Sequence, residues 1–179
     1  HESTLDILVN NAGAAWAAPF DEFPESGWDK VVDLNLKTPF FMTQAMAPLL
    51  RASVAASGRL AKVIHIASID GLSVNPLETY PYAASKAGVM ALAECLYADL
   101  RGSGVKVQLA NPGFIETRLT AQNSFSMPFI MTPEKAAGHM MRLMRSNRFK
   151  SSFPAPFSWL FRYGQGLPDW LWYRLFPRG

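Results

Sequence analysis

Lys62-Val63-Ile64-His65-Ile66-Ala67 is the stretch whose reading decides the fold, because it is largely apolar on both of its alternating faces. A strand with one wet face alternates apolar and polar residues, whereas a strand covered by helices on both sides reads as a nearly continuous apolar run. The segment is therefore predicted to be a central strand of a parallel sheet, with Ser68 at its carboxyl end. Upstream, Leu5-Asp6-Ile7-Leu8-Val9 is a shorter strand that the turn residues Asn10-Asn11-Ala12-Gly13 bring to a stop. Downstream, Val105-Lys106-Val107-Gln108-Leu109-Ala110 reads as another strand, and residues 149–153 as a further short one.

Helices are expected between these strands. From Ser26 to about Ser57, Val32, Leu36, Phe40, Ala47 and Leu50 recur at helical spacing, with Ser26 placed to cap the first turn and Pro39 and Pro48 disturbing it. Val89, Leu92, Leu96 and Leu100 form one stripe of a second helix that Gly102-Ser103-Gly104 ends. Thr132-Pro133-Glu134 supplies a cap, a first-turn proline and an acidic residue for a third helix running to about Arg145. Alternating strands and helices indicate an α/β sheet, in which ligands sit beyond the carboxyl ends of the strands. That rule alone brings Asn10 to Gly13, Ser68 and Asn111-Pro112-Gly113 to one edge.

Composition narrows the class. The 179 residues are 49% hydrophobic and 17% charged, enough for one domain with a sizeable core. Cys95 is the only cysteine, so no intrachain disulfide or multi-cysteine zinc site is available, and a reduced, cytoplasmic setting is expected. The start, His1-Glu2-Ser3-Thr4, has neither the basic flank nor the apolar run of a signal peptide and reads as an internal beginning. Residues 1–134 carry 9 basic and 13 acidic side chains, residues 135–179 carry 8 basic and 1 acidic. This local basic patch comes with no recognition motif, and nucleic acid is not expected as a partner. His65, Cys95 and His139 read as packing or surface residues, and no metal site is expected.

The chemistry lies in Tyr82-Ala83-Ala84-Ser85-Lys86. Four residues apart on a helix, the ammonium of Lys86 can lie near the phenol of Tyr82, and a nearby cation is what a tyrosine titrating near ~10 needs to exchange protons at neutrality. Such a pair also arises on solvated helix faces. Taken together with Asn10-Asn11-Ala12-Gly13 after a strand, Asn35 in the next helix, Ser68 at a strand end and Asn111-Pro112-Gly113, it resembles the short-chain dehydrogenase/reductase family in order and spacing over most of residues 5 to 120.

The resemblance implies a partial doubly wound, Rossmann-type parallel sheet in three αβα layers. It implies hydride transfer between NAD or NADP and a small carbonyl or alcohol substrate, with Tyr82 as general acid/base. Ser68 would hydrogen-bond the substrate oxygen, Lys86 would lower the Tyr82 pKa and bind the nicotinamide ribose, and Asn35 would hold a water linking Lys86 to solvent. Asn35 also reads as a polar break in its helix. Asn10, Ala12 and Gly13 would pass beside the cofactor or serve structure alone, and Pro112, Gly113, Ile115 and Thr117 would embrace the nicotinamide carboxamide.

The family's opening strand and glycine-rich pyrophosphate turn have no counterpart here, so the chain reads as residues 1–153 of catalytic part, lacking the first three strands, followed by an aromatic, basic extension at 154–179. Its first strand would then be an exposed apolar edge. The alternative class is a cofactor-free fragment or interaction module that keeps these residues without the chemistry.

The variable substrate loop of the family falls at Leu119 to Met131, where Phe125, Met127, Pro128, Phe129, Ile130 and Met131 suggest a hydrophobic ketone or alcohol. Leu72, Val74, Leu77 and Tyr80 of the loop from Ile69 to Pro81 extend that apolar set, and either set reads equally as packing under a lid. The tail's Phe157, Trp159, Leu160, Phe161, Trp170, Trp172, Tyr173 and Phe176, interspersed with Arg162, Arg174 and Arg178, read either as a weak peripheral membrane anchor or as internal or subunit packing. By resemblance, the Tyr82 helix and the long helix before it would pair in a homo-dimer or homo-tetramer.

Overall fold

The computed structural model describes residues 2–72, 78–117, 120–122, 127, 129–164, 166–168, 170–171 and 174. Four parallel strands, β1 (Ile7–Asn10), β2 (Ala61–Ile66), β3 (Val105–Pro112) and β4 (Lys150–Phe153), lie side by side in chain order. Pairing runs from Ile7 against Lys62 to Asn10 against His65, from Ala61 against Val105 to Ile66 against Ala110, and from Leu109 against Lys150 to Pro112 against Phe153. All four carboxyl ends therefore share one edge.

Of the helices α1 (Glu25–Val32), α2 (Thr38–Ser57), α3 (Tyr80–Asp99) and α4 (Pro133–Arg145), the last three cover the faces of this sheet and α1 packs against α3. Strand alternation sends Val105, Val107 and Leu109 to one face. There Leu50 of α2 packs with Val63 and Val105, and Val89 and Ala93 of α3 pack with Val107 and Leu109. Ala110 faces the other way, against Ala136 and Leu143 of α4, and Gln108 Nε2 donates to the Leu143 carbonyl at 2.8 Å. Three αβα layers result, with the Rossmann-type order expected of these strands. One edge of the sheet belongs to β1, where Ile7 and Val9 are 42% and 46% exposed, and the other to β4.

Two local expectations need correction. Helix α1 starts at Glu25 with Pro24 in the cap position, so Ser26 lies inside the first turn and caps nothing. The prolines do not break the long helix either: residues 25–57 run on, through one wide π turn at Asp33–Lys37, and Pro48 lies inside α2. Pro39 has no N–H to give the Asn35 carbonyl, and a widened turn is how a helix absorbs that loss. The Thr38 hydroxyl adds a bond to the Asp33 carbonyl at 2.8 Å. At α4, by contrast, the Lys135 N–H does donate to the Thr132 hydroxyl, as a cap should.

His65 is fully buried, its Nδ1 is 3.4 Å from Asn10 Nδ2, and desolvation lowers its pKa to about 4, so the ring is a neutral packing element. Cys95 is exposed, and His139 stacks on Phe153 at 4.7 Å between ring centroids. After β4, α5 (Ala155–Gly164) buries Ser158 and leaves Trp159 and Tyr163 exposed. Among the tail residues singled out in sequence, Trp172, Tyr173, Phe176 and Arg178 lie outside the described residues. No helix of the described residues is long and apolar enough to cross a membrane.

Candidate active site

Where β2 ends, the chain turns abruptly. Ala67 N–H still donates to the Ala110 carbonyl at 2.8 Å, Ser68 is extended, and its hydroxyl accepts from the Asp70 N–H at 3.2 Å, starting a single 3-10 turn at Ile69–Gly71. This turn lies directly on α3. A Cβ on Gly71 would sit 2.7 Å from the Lys86 carbonyl carbon and 2.8 Å from the Ala87 nitrogen, so only glycine permits the approach. Ser68 thereby lines, together with Tyr82 and Lys86, a cleft of about 250 Å³ at the carboxyl ends of β2 and β3.

Tyr82 and Lys86 share a face of α3, as their spacing requires. Lys86 is buried, donates to the Ile66 carbonyl at 2.9 Å and places Nζ 5.6 Å from the centre of the Tyr82 ring. Burial lowers its pKa to about 8, partly offset by the Asp70 carboxylate. The Tyr82 phenol moves opposite to the sequence expectation. It is pushed up to about 12 by desolvation first and by Asp70 second, with hydrogen bonding from Ser68 pulling the other way. Loss of solvation and the Asp70 carboxylate together outweigh the Ser68 hydrogen bond.

Asn35 lies at the centre of the π turn and is buried. Its Oδ1 accepts from the Ala14 N–H at 2.8 Å, while Nδ2 donates to the Ala14 carbonyl at 2.9 Å and to Ser85 Oγ at 3.1 Å. The side chain therefore clamps the loop after β1 to α3, one residue from Lys86, rather than reaching toward solvent. A Cβ on Gly13 would come within 3.3 Å of Asn35 Oδ1 and 3.6 Å of Lys86 Nζ, so glycine keeps a lane open beside the ammonium.

The structure separates the remaining sequence candidates. Gly13, Pro112, Gly113, Ile115 and Thr117 line the same cleft as Ser68, Tyr82 and Lys86. Asn10 and Ala12 do not: Asn10 Nδ2 donates to Thr43 Oγ1 at 3.0 Å beneath the loop, and Ala12 is exposed. The Thr117 hydroxyl lies 3.3 Å from that of Thr120, which also donates to the Ile115 carbonyl at 2.6 Å and so shapes this loop.

Asp70, Asn11, Thr79, Thr120 and Phe114 line the cleft without having been singled out in sequence. For Asp70 a signal existed, a lone carboxylate two residues after Ser68 in an apolar context. Of the presumed substrate loop, Phe129 and Ile130 are exposed and Met131 is core, and all three border a separate groove beside α4. Phe125 and Pro128, like Val74 and Leu77, lie outside the described residues. Among the described residues no group of three or more His, Cys, Asp or Glu is placed to hold a metal ion.

The geometry finds direct counterparts among known proteins. The chain is 41% identical over 116 residues to a rhamnolipids biosynthesis 3-oxoacyl-[acyl-carrier-protein] reductase of Pseudomonas aeruginosa, covering 65% of this chain and 45% of the relative. It is 34% identical over 145 residues to a 3-oxoacyl-[acyl-carrier-protein] reductase of Thermotoga maritima, covering 81% and 53% respectively. The chain thus spans about half the length of the curated relatives it matches.

Among solved structures, the Pseudomonas aeruginosa RhlG/NADP active-site complex superposes with a TM-score of 0.63 at 40% identity, over 67% of this chain and 46% of that one. A short chain dehydrogenase from Burkholderia cenocepacia in complex with NADP shares the fold over 98% of this chain and 70% of its own, with a TM-score of 0.81 at 19% identity. The family model described as short chain dehydrogenase matches residues 1–127, which hold Asn35, Ser68, Tyr82 and Lys86. On that match and on the parallel α/β sheet, the chain belongs to the short-chain dehydrogenase family.

Proposed function

We propose that this chain supplies the proton-transfer and substrate half of an oxidoreductase that moves hydride between NAD or NADP and a carbonyl or alcohol. The observation that carries the reading is the convergence of Ser68, Tyr82 and Lys86, from a strand end and the following helix, on one cleft. The nicotinamide end of the cofactor fits here. Gly13 leaves space beside Lys86 Nζ, and Pro112, Gly113, Ile115 and Thr117 form the adjoining wall. Those residues and Lys86 would hold it, and when bound it supplies or accepts the hydride.

In reduction, Ser68 donates a hydrogen bond to the substrate carbonyl oxygen and stabilises the charge that develops on it. Tyr82 Oη then gives that oxygen its proton. A phenol pushed up to about 12 keeps its proton throughout the neutral range, which suits it as the acid, and the developing phenolate is stabilised by the Lys86 ammonium. Asn35 acts as a positioning residue by tying the loop after β1 to Ser85, next to Lys86.

Titration of Lys86 gives this assignment a pH signature. Its lowered pKa leaves the ammonium charged below about 8 and neutral above. For the full-length protein, kcat for carbonyl reduction should be level from pH 6.5 to 7.5 and fall as pH rises past about 8, measured by NAD(P)H oxidation at saturating substrate. A rate still level at pH 10 would remove Lys86 from the mechanism.

The substrate is assigned as predominantly apolar, since Ile66, Ile69, Phe114 and Ile115 surround the polar centre. Turnover confined to small polar sugars would contradict this. The exposed Phe40, Phe41, Met42 and Tyr97 of α2 and α3 support pairing of these helices with a second copy. Sedimentation of the full-length protein as a monomer at micromolar concentration would exclude that pairing.

A further inference from the structure

Asp70 neither gives nor takes the transferred proton, acting on Tyr82 and Lys86 only through its charge, yet it is the one carboxylate among the described residues lining the cleft. Its main-chain N–H, not its side chain, is what Ser68 caps. The side chain forms no ion pair among the described residues, and Oδ1 is closed off with no hydrogen-bond partner there, so a donor in the cleft must meet the other carboxylate oxygen. The turn that carries it cannot drift away, because Gly71 packs against the backbone of Lys86 and Ala87. A carboxylate is thus held rigidly one short turn from the serine assigned to the substrate oxygen.

A carboxylate that receives no hydrogen-bond donor from the described residues is poorly satisfied by the protein alone, and such groups in folded proteins call for a specific reason. The described protein groups that act on Asp70 are few. Lys86 of α3 is the cation facing it and Tyr82 of α3 the acid whose proton it helps retain, while Ser68 is neutral. Burial raises the Asp70 carboxyl to about 6, with Lys86 opposing, so it remains mostly an anionic acceptor at neutral pH.

We infer that Asp70 is a specificity residue whose carboxylate accepts a hydrogen bond from a hydroxyl that the substrate carries next to its reacting carbonyl. The inference rests on the oxidoreductase reading and deepens it: the substrate class is an otherwise apolar hydroxyketone, or the matching vicinal diol in the reverse direction. The proximity to Ser68 along the chain sets the spacing. With the carbonyl oxygen at Ser68 and Tyr82, an acceptor two residues further on in the same tight turn meets a donor on the adjoining carbon. Ile66, Ile69 and Phe114 supply an apolar wall, and the cleft's polar lining beyond Ser68, Tyr82 and Lys86, which is Asn11, Thr79, Thr117 and Thr120, is neutral, which leaves Asp70 as its anionic acceptor.

The test compares cyclohexanone with 2-hydroxycyclohexanone as substrates of the full-length protein, with NADH and NADPH, in wild type, Asp70→Asn and Asp70→Leu. The wild type is expected to favour the hydroxyketone by at least about tenfold in kcat/KM, one good hydrogen bond being worth roughly that factor. In Asp70→Leu the ratio should collapse to within about threefold, with KM for the nicotinamide unchanged. Asp70→Asn, which preserves shape, should reduce the ratio in the same direction and serves if the leucine variant fails to fold.

An unchanged ratio in the variants overturns the inference, as does a wild type that prefers cyclohexanone, or variants that alter only the nicotinamide KM. Any of these leaves the oxidoreductase reading standing. Absence of turnover with both ketones and both cofactors counts against that reading and takes the inference with it.

Discussion

Replacing Tyr82 by Phe is expected to lower kcat/KM for carbonyl reduction by roughly 10²–10⁴-fold, the usual worth of a positioned general acid. The substitution removes one oxygen and leaves the ring, so the apolar packing of Tyr82 on the cleft wall survives. What disappears is the proton that must reach the substrate oxygen as the carbon accepts hydride. Lys86 cannot replace it, because its ammonium is directed at the Ile66 carbonyl. The phenol is held in its acid form by burial and by Asp70, so little binding in the ground state depends on its charge. The loss should therefore appear mainly in kcat, with KM for the nicotinamide close to wild type. Steady-state kinetics of the full-length variant beside its melting temperature measures both. Activity within tenfold of wild type would assign proton transfer to another group.

Gly71→Ala should have the second largest effect, and it tests the architecture rather than the chemistry. The added methyl would meet backbone atoms of Lys86 and Ala87 at 2.7 to 2.8 Å, and backbone inside α3 cannot swing away as the tip of a flexible side chain could. Relief requires the 3-10 turn and α3 to separate, at a cost of about 1–3 kcal/mol typical of overpacking. That separation also moves Ser68 relative to Tyr82, and displacement of about 1 Å in a catalytic constellation can cost on the order of 10²-fold in rate. A lower melting temperature together with a fall in kcat is the expected outcome. Gly138→Ala is the control: its Cβ meets only Arg142 at 4.0 Å inside α4, and alanine favours a helix by about 1 kcal/mol. Equal behaviour of the two variants would mean that the turn does not set the site.

The parts of this site legible in sequence were those fixed by local rules. The doubly apolar run at residues 62–67 identifies a buried parallel strand wherever it is met, and a four-residue interval puts Tyr82 and Lys86 on one helix face. Thr132 and Pro133 mark a helix start through local chemistry alone, a hydroxyl that accepts from the Lys135 N–H and a first-turn proline. What escaped depended on neighbours distant in sequence. The sense of the Tyr82 shift follows from burial and from Asp70, which periodicity does not reveal. The clamp made by Asn35 needs Ala14 and Ser85, brought together only by packing of the loop after β1 against α3. Phe129 and Ile130 were read toward the substrate because of their loop, yet the chain directs them to the groove beside α4.

The central claim, that hydride passes to a carbonyl carbon beside Ser68 and Tyr82, is most directly measured by isotope transfer. The full-length protein would be supplied with nicotinamide carrying deuterium at both C4 positions, as NADH or NADPH, together with 2-hydroxycyclohexanone, and the product analysed by mass spectrometry. The account predicts a diol one mass unit heavier, its deuterium on the newly formed carbinol carbon, with formation suppressed in Tyr82→Phe. A diol without the label, or one formed equally well by the Tyr82→Phe protein, would contradict it.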